Sequence, residues 1–362
     1  MPPAHAHFNG SVNLADADTV MRQISARVPS GVRRLPDGET GERGNWIVFQ
    51  LQKFMQQPWM VPVTPPDAVQ EGDYTAMPQL RLADGVNPAE VSWFDLGYAD
   101  AYLESYATFS GLRNDGVIPA GVRFQVQYPT PMASISGFIA PEDQQALLGS
   151  YEEAMFADLD RLLAAIPHDD VAVQWDVAVE FGILEDAFFP DGVQFFAPVV
   201  AAVARCVDQV PADVPVGLHL CYGDYGHQHF KQPESLALQV RVVNAVSAAA
   251  GRPLSFVSFT VPQNQREDSY FAPLADLTVG PDTELNFGLV PYHPADQEPG
   301  TTDAQARLID SALADGPAAR SDWGISTECG MGRASRDDVP VLLDKYREIL
   351  AAELDALAGR PG

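Results

Sequence analysis

The sequence predicts an α/β fold, a single (β/α)₈ TIM barrel with an insertion after the second strand, on three observations. Short β-branched runs alternate with amphipathic helical runs along most of the chain, as in a parallel sheet with crossover helices. Eight such strand candidates occur, the number that closes a barrel. Every one of them ends in hydrogen-bonding or ionisable side chains, and the carboxyl ends of barrel strands are where chemistry is built.

Taken in order, the first strand candidate is HAHFNGS (5–11), ending on Asn9 and Ser11 and followed by helical spacing over 15–28. VRRLPDG (32–38) ends on Asp37 and Glu39, with a helix expected over 42–57. Residues 58–120 are too long for a simple crossover. Their Pro-rich and aromatic stretches, PWMVPVTPP and EVSWFDLGYADAYLESYATF, predict an insertion that ends in a helix and serves as a lid, a pocket wall or an oligomer contact. VRFQVQY (122–128) carries Gln125 and Gln127 and leads to a helix over 142–166; VAVQWDV (171–177) carries Asp176, with Glu180 beyond it, and leads to 192–209. VPVGLHL (214–220) ends on His219 and Cys221 before a helix at 234–250. LSFVSFT (254–260) ends on Thr260 and Gln263, and only REDSYFAPLADL is left for a short sixth crossover helix. LNFGLV (285–290) precedes His293 and a helix at 302–316, and WGISTE (323–328) runs into Glu328 and Cys329 before a last helix at 337–357. One catalytic domain over 1–362 is the expectation, with no internal repeat and no low-complexity segment.

Composition narrows the partners. The 362 residues are 46% hydrophobic, enough for a large core, and no apolar run is long enough to span a bilayer. The N-terminus MPPAHAHFNGSV lacks the basic and apolar regions of a secretory signal, so a cytoplasmic location is expected. A net charge of −27, with Lys53, Lys231 and Lys345 the only lysines, argues against nucleic acid and anionic membranes as partners. Small molecules remain, and homo-oligomerisation is left open. Three cysteines do not make a disulfide framework in such a chain. Cys206 sits in the helical run VVAAVARCVDQV and reads as a buried thiol; Cys221 and Cys329 have polar neighbours.

His219 and Cys221 are two apart in LHLCYG, so on a strand both side chains face the same way and can share a metal. The pair alone is a weak signal, since a buried histidine beside a structural thiol is the commoner explanation. Cys329, at the rim of the last strand, supplies a third ligand and turns the reading towards zinc, which takes imidazole nitrogen and thiolate sulfur and at catalytic sites keeps one position open.

Along the whole chain the ordered set NGS (9–11), DGETGER (37–43), QWD (174–176), HLC (219–221), YHP (292–294) and ECGMGR (328–333) resembles the C-terminal catalytic barrel of cobalamin-independent methionine synthase. The uroporphyrinogen decarboxylase family shares that fold but has no metal and no need of the HLC and ECG pair. The resemblance implies a methyltransferase: zinc on His219, Cys221 and Cys329, holding a small-molecule thiol that attacks an alkyl donor. It further implies that Glu39 and Asp176 hold the amino group of homocysteine, that Ser11 meets its carboxylate, that Gln127 lines the same pocket, and that His293 protonates the leaving group.

Two departures qualify it. The family's fourth zinc ligand, a glutamate near the end of the sixth strand, is replaced here by Thr260, a poor zinc ligand, so either a position stays open or His227, His229 or Asp224 of the loop CYGDYGHQHF is recruited. The open position is the expectation. The long synthases also carry a second, N-terminal barrel; a single-barrel member, with its donor unidentified, is the expectation here. Two other functions stay in view: a zinc-dependent lyase or hydrolase using the open position, and a metal-free decarboxylase-like or binding barrel.

Overall fold

All eight strand candidates enter one sheet, and every ladder in it is parallel. A computed structural model describes residues 3–63, 78–188, 190–223, 228–320 and 322–358. Numbered in chain order, the strands are β1 (Pro3–Ala6), β2 (Arg34–Pro36), β3 (Met60–Pro62), β4 (Leu80–Leu82), β5 (Arg123–Pro129), β6 (Val171–Val177), β7 (Val216–Leu220), β8 (Phe256–Phe259), β9 (Glu284–Phe287) and β10 (Trp323–Ile325). The sheet runs β1-β10-β9-β8-β7-β6-β5-β2, while β3 and β4 form a separate antiparallel pair. It curls in the manner of a TIM-like barrel. Isolated parallel bridges Ala6↔Val32 and Ser11↔Gly38 bring the first strand's chain back beside the second's.

The helices are α1 (Ala17–Arg27), α2 (Trp46–Met55), α3 (Tyr98–Asn114), α4 (Pro131–Phe138), α5 (Pro141–Ala165), α6 (Val179–Leu184), α7 (Phe196–Gln209), α8 (Ala237–Ala249), α9 (Asp268–Phe271), α10 (Thr301–Ala314) and α11 (Asp338–Ala358). Local chemistry starts them where expected. Asp16 caps α1 by accepting from the Thr19 N–H at 2.8 Å, and Thr130 caps α4 by accepting from the Ala133 N–H at 3.0 Å, with Pro131 at the first turn. The short helices α4 and α6, inserted after β5 and β6, were not expected. The sixth crossover is short, as expected, with α9 passing into a 3₁₀ turn at Ala272–Asp276. No helix among the described residues is long and apolar enough to cross a membrane.

Apart from β5 and β6, the strand ladders are shorter than the runs that predict them. The run 5–11 is paired as β1 only to Ala6, and 323–328 as β10 only to Ile325; beyond them the Asn9 side chain donates to the Thr327 carbonyl, and the Thr327 N–H donates to Tyr346 of α11. Other side-chain contacts cross the inside of the curl. His7 and Gln174 belong to strands that are not neighbours, yet their side chains meet at 2.9 Å, and Ser258 donates to Asn9 at 2.8 Å. Gln174 also donates to the Asn9 carbonyl at 2.9 Å and to Asp176 at 2.8 Å. The interior is therefore a hydrogen-bonded polar layer under the C-terminal rim, where unpaired polar groups would be costly.

In the 58–120 segment, α3 lies against α1 and α5 as a crossover helix does. Trp93 stacks edge-on to Trp59 (centroids 4.5 Å apart), and its indole N–H donates to Ser150 of α5 at 3.0 Å. Phe54 and Tyr151, 5.0 Å apart, complete this anchor. The segment reaches towards the rim through Tyr102, whose hydroxyl donates to the Gln127 carbonyl at 2.5 Å.

Candidate metal centre

The end of β7 and the turn after β10 place His219, Cys221 and Cys329 together, their ligand atoms all within 4.8 Å of one another. The two Sγ atoms are 3.5 Å apart and are not joined in a disulfide. Two sulfurs each ~2.3 Å from a tetrahedral zinc would lie roughly 3.8 Å apart, so the spacing suits one metal between them. The donor set, one imidazole and two thiols, is one that zinc prefers. The residues present could hold a metal ion. Cys206 is elsewhere, buried in α7, where burial pushes its thiol well up.

His219 is buried, with Nδ1 3.2 Å from Asp176 Oδ1 and Nε2 3.4 Å from the Glu328 carbonyl. Burial works against a charge on the ring, but the hydrogen bond and charge of Asp176 outweigh it, so the imidazole holds a proton more tightly than usual. An Nδ1–H aimed at Asp176 leaves the Nε2 lone pair for a metal, the carboxylate–histidine arrangement common at zinc sites. Asp176 thus touches a prospective ligand, a contact that its reading as a substrate carboxylate did not include.

Beside this trio lies an acidic corner. Ser11 donates to Glu39 Oε2, and Met331 of the ECGMGR turn donates its N–H to the Ser11 carbonyl at 2.7 Å. Gly332 allows that approach, since a Cβ there would come within 2.7 Å of Ser11 Cβ. Glu39 sits at φ 52 after Gly38 at φ 78, a left-handed turn that folds its carboxyl inward. Burial and then the neighbouring Asp176 charge push the Glu39 carboxyl up to about 8, against the Ser11 hydrogen bond and the Arg43 charge. Gln127 is buried beneath Gly10, and neither atom of its amide has a partner among the described residues.

No family model matches the sequence, and no curated protein matches it significantly. The likeness is in the fold. A protein of Listeria monocytogenes named as a candidate vitamin-B12 independent methionine synthase superimposes with a TM-score of 0.59 at 12% identity, over 98% of each chain.

Other expected site residues fall differently. His293 is exposed on the loop after β9; the Gln263 side chain grips its backbone, accepting from the N–H at 2.9 Å and donating to the carbonyl at 3.2 Å. Gln263 also donates its own N–H to Glu328 Oε1 at 2.7 Å, so one residue ties the histidine loop to the turn that carries Cys329. His229 is not gathered with the three ligands. Its Nε2 pairs instead with Glu328 Oε2 at 3.1 Å. His227 and Asp224 lie outside the described residues. Thr260 is buried with its hydroxyl on backbone carbonyls. Glu180 turns away to accept from Thr130.

Arg43 was missed as a residue of the corner. It is buried, paired with Asp37 and stacked 4.4 Å over the Tyr102 ring. The acid–arginine spacing in DGETGER was its only sequence signal.

Proposed function

We propose that this chain is a zinc-dependent alkyltransferase of the methionine-synthase kind, moving a methyl or other alkyl group from a donor onto a small-molecule thiol such as homocysteine. The observation that carries the reading is the His219, Cys221 and Cys329 cluster beside the Glu39 and Asp176 carboxyls. The fold likeness to a candidate methionine synthase supports it. The proposal includes a closed (β/α)₈ barrel as one catalytic domain, working in the cytoplasm without nucleic-acid or membrane partners.

When bound, zinc would keep a coordinating thiol deprotonated at neutral pH and so nucleophilic. The chain's own residues then bind and orient. Asp176 holds the His219 ring through Nδ1, and Glu39, with Asp176 at its side, offers negative charge to a substrate ammonium. Ser11 and the loop around it face the substrate carboxylate, with Gln127 offering an amide from below Gly10. His293 delivers a proton to the leaving group from the loop held by Gln263.

The test is metal content followed by thiol response. About one zinc per chain is expected, retained by Cys206→Ser and largely lost from Cys221→Ser and Cys329→Ser. In cobalt-substituted protein, an amino-bearing thiol should alter the sulfur-to-metal charge-transfer band. Equal metal in all three variants would remove the zinc assignment, and a cobalt site indifferent to thiols would move the function to a lyase or hydrolase.

A further inference from the structure

We infer that Thr260 is a positioning residue of the metal centre, its hydroxyl tying together the two chain segments that carry the thiol ligands. The inference rests on the zinc reading above. In the sheet order β10-β9-β8-β7, the strand leading to Cys329 and the strand leading to Cys221 are separated by two others, so no ladder sets the distance between the cysteines. Thr260, just past β8, reaches both. Its Oγ1 lies 2.6 Å from the Leu220 carbonyl and 3.1 Å from the Glu328 carbonyl, and these residues immediately precede Cys221 and Cys329. One hydroxyl proton shared between two carbonyls makes a three-centre bond whose stronger arm is the one to Leu220.

The tie can set a distance only if Thr260 is itself fixed. It is fully buried, and the Gln239 side chain holds its backbone on both sides, accepting from the Thr260 N–H and donating to its carbonyl, each at 2.9 Å. Tyr270 donates to the same carbonyl at 3.2 Å. The chain just past the intervening strand β9 gives way at Gly288, where a Cβ would meet Glu328 Cα at 3.0 Å and the Val261 nitrogen at 3.2 Å, so the absence of a side chain lets the Thr260 segment approach the segment that carries Cys329. A residue that donates to two backbone carbonyls while clamped by a buried amide is committed to holding them; it has no proton left with which to act on a substrate.

Thr260→Val keeps the branching and size and removes the hydroxyl. Zinc affinity, read by competition with a chromophoric chelator, should fall about 10–100-fold, the range for partners that orient metal ligands. The cobalt charge-transfer spectrum should change with it, and Thr260→Ser should restore most of both. A second arm does not need the metal: phenylarsine oxide, which bridges two thiols with release of water, should bind metal-free Thr260→Val more weakly than metal-free wild type. Wild-type affinity of Thr260→Val for both zinc and the arsenical would overturn the tie, even if its thermal stability fell. If wild type binds no zinc, the proposed function fails while the arsenical comparison still decides whether Thr260 sets the thiol spacing.

Discussion

The two ends of the curled sheet hold two glutamates with opposite fates, one half-buried and one buried. At the N-terminal end, Glu284 opens β9 between Arg34, with which it pairs, and Arg33 at 2.9 Å. Burial pushes its carboxyl up, but the Arg34 charge and hydrogen bond override this and bring it down to about 2. At the C-terminal end, Glu39 has burial and Asp176 on one side of the balance and only Ser11 and a preoccupied Arg43 on the other, and it stands at about 8. The first carboxylate has its counter-charge within the fold. The second has no ion-pair partner of its own among the described residues, the feature expected where a ligand is to supply the cation. Stability is thus concentrated at one end and binding capacity at the other.

That division can be broken from either side. The largest effect should come from His293→Gln at the C-terminal rim. If the imidazole supplies the leaving-group proton, turnover should drop by about 10²–10⁴ with a poor leaving group, while zinc content, thiol binding and unfolding midpoint stay at wild-type values. Full turnover in this variant would place the proton donor elsewhere. At the other end, Arg34→Met leaves Glu284 with Arg33 and the His5 ring 3.9 Å away, and also removes a cation stacked 4.0 Å over Phe256. Urea denaturation should show a loss of about 3 kcal/mol, the low end for breaking a buried pair because Arg33 remains, with zinc affinity unchanged. The sign with pH follows from the depressed folded value. Glu284 contributes stability that is present above the unfolded pKa of 4.5 and is lost as pH falls towards about 2, so wild type and variant should converge over that window. A difference that persists undiminished at low pH would mean that packing, not charge, holds that end.

How far the sequence speaks follows the same division. A strand buried on both faces is legible as a short β-branched run even where polar residues interrupt it, as in VAVQWDV, and β6 spans the same residues as that run, Val171–Val177. The His219 and Cys221 pair was legible because a two-residue period needs no tertiary knowledge, and Cys329 because it directly follows the run WGISTE. What remained hidden depends on contacts between distant segments. Thr260 looked like a failed ligand because nothing local to SFTVPQ reveals carbonyls 40 and 68 residues away. His229 looked available because its partner Glu328 is far along the chain. Helices α4 and α6 were missed because eight and six residues are too few for a helical period to stand out, although Thr130 before Pro131 is a cap signal.

The smallest expected effect belongs to Glu39 and sharpens the comparison most directly. Its folded value of about 8 lies above the ordinary 4.5, so the folded chain keeps a proton that the unfolded chain has already released. Stability must therefore fall as pH rises from about 4.5 to about 8 and level off beyond, the reverse of Glu284. Glu39→Gln mimics the protonated carboxyl and can still accept from Ser11, so it should be more stable than wild type at pH 8 by on the order of 1–2 kcal/mol, with the gap closing near pH 4.5. The same group makes ligand binding pH-dependent. A ligand ammonium favours the ionised carboxylate, so binding an amino thiol should release a proton, and its affinity should rise between about pH 6 and pH 8. Calorimetry in buffers of different ionisation enthalpy measures that proton directly, and in Glu39→Gln the released proton and the pH slope should both disappear. Proton uptake on binding, or a slope unchanged in the variant, would show that the charge-deficient end is not where the ammonium goes.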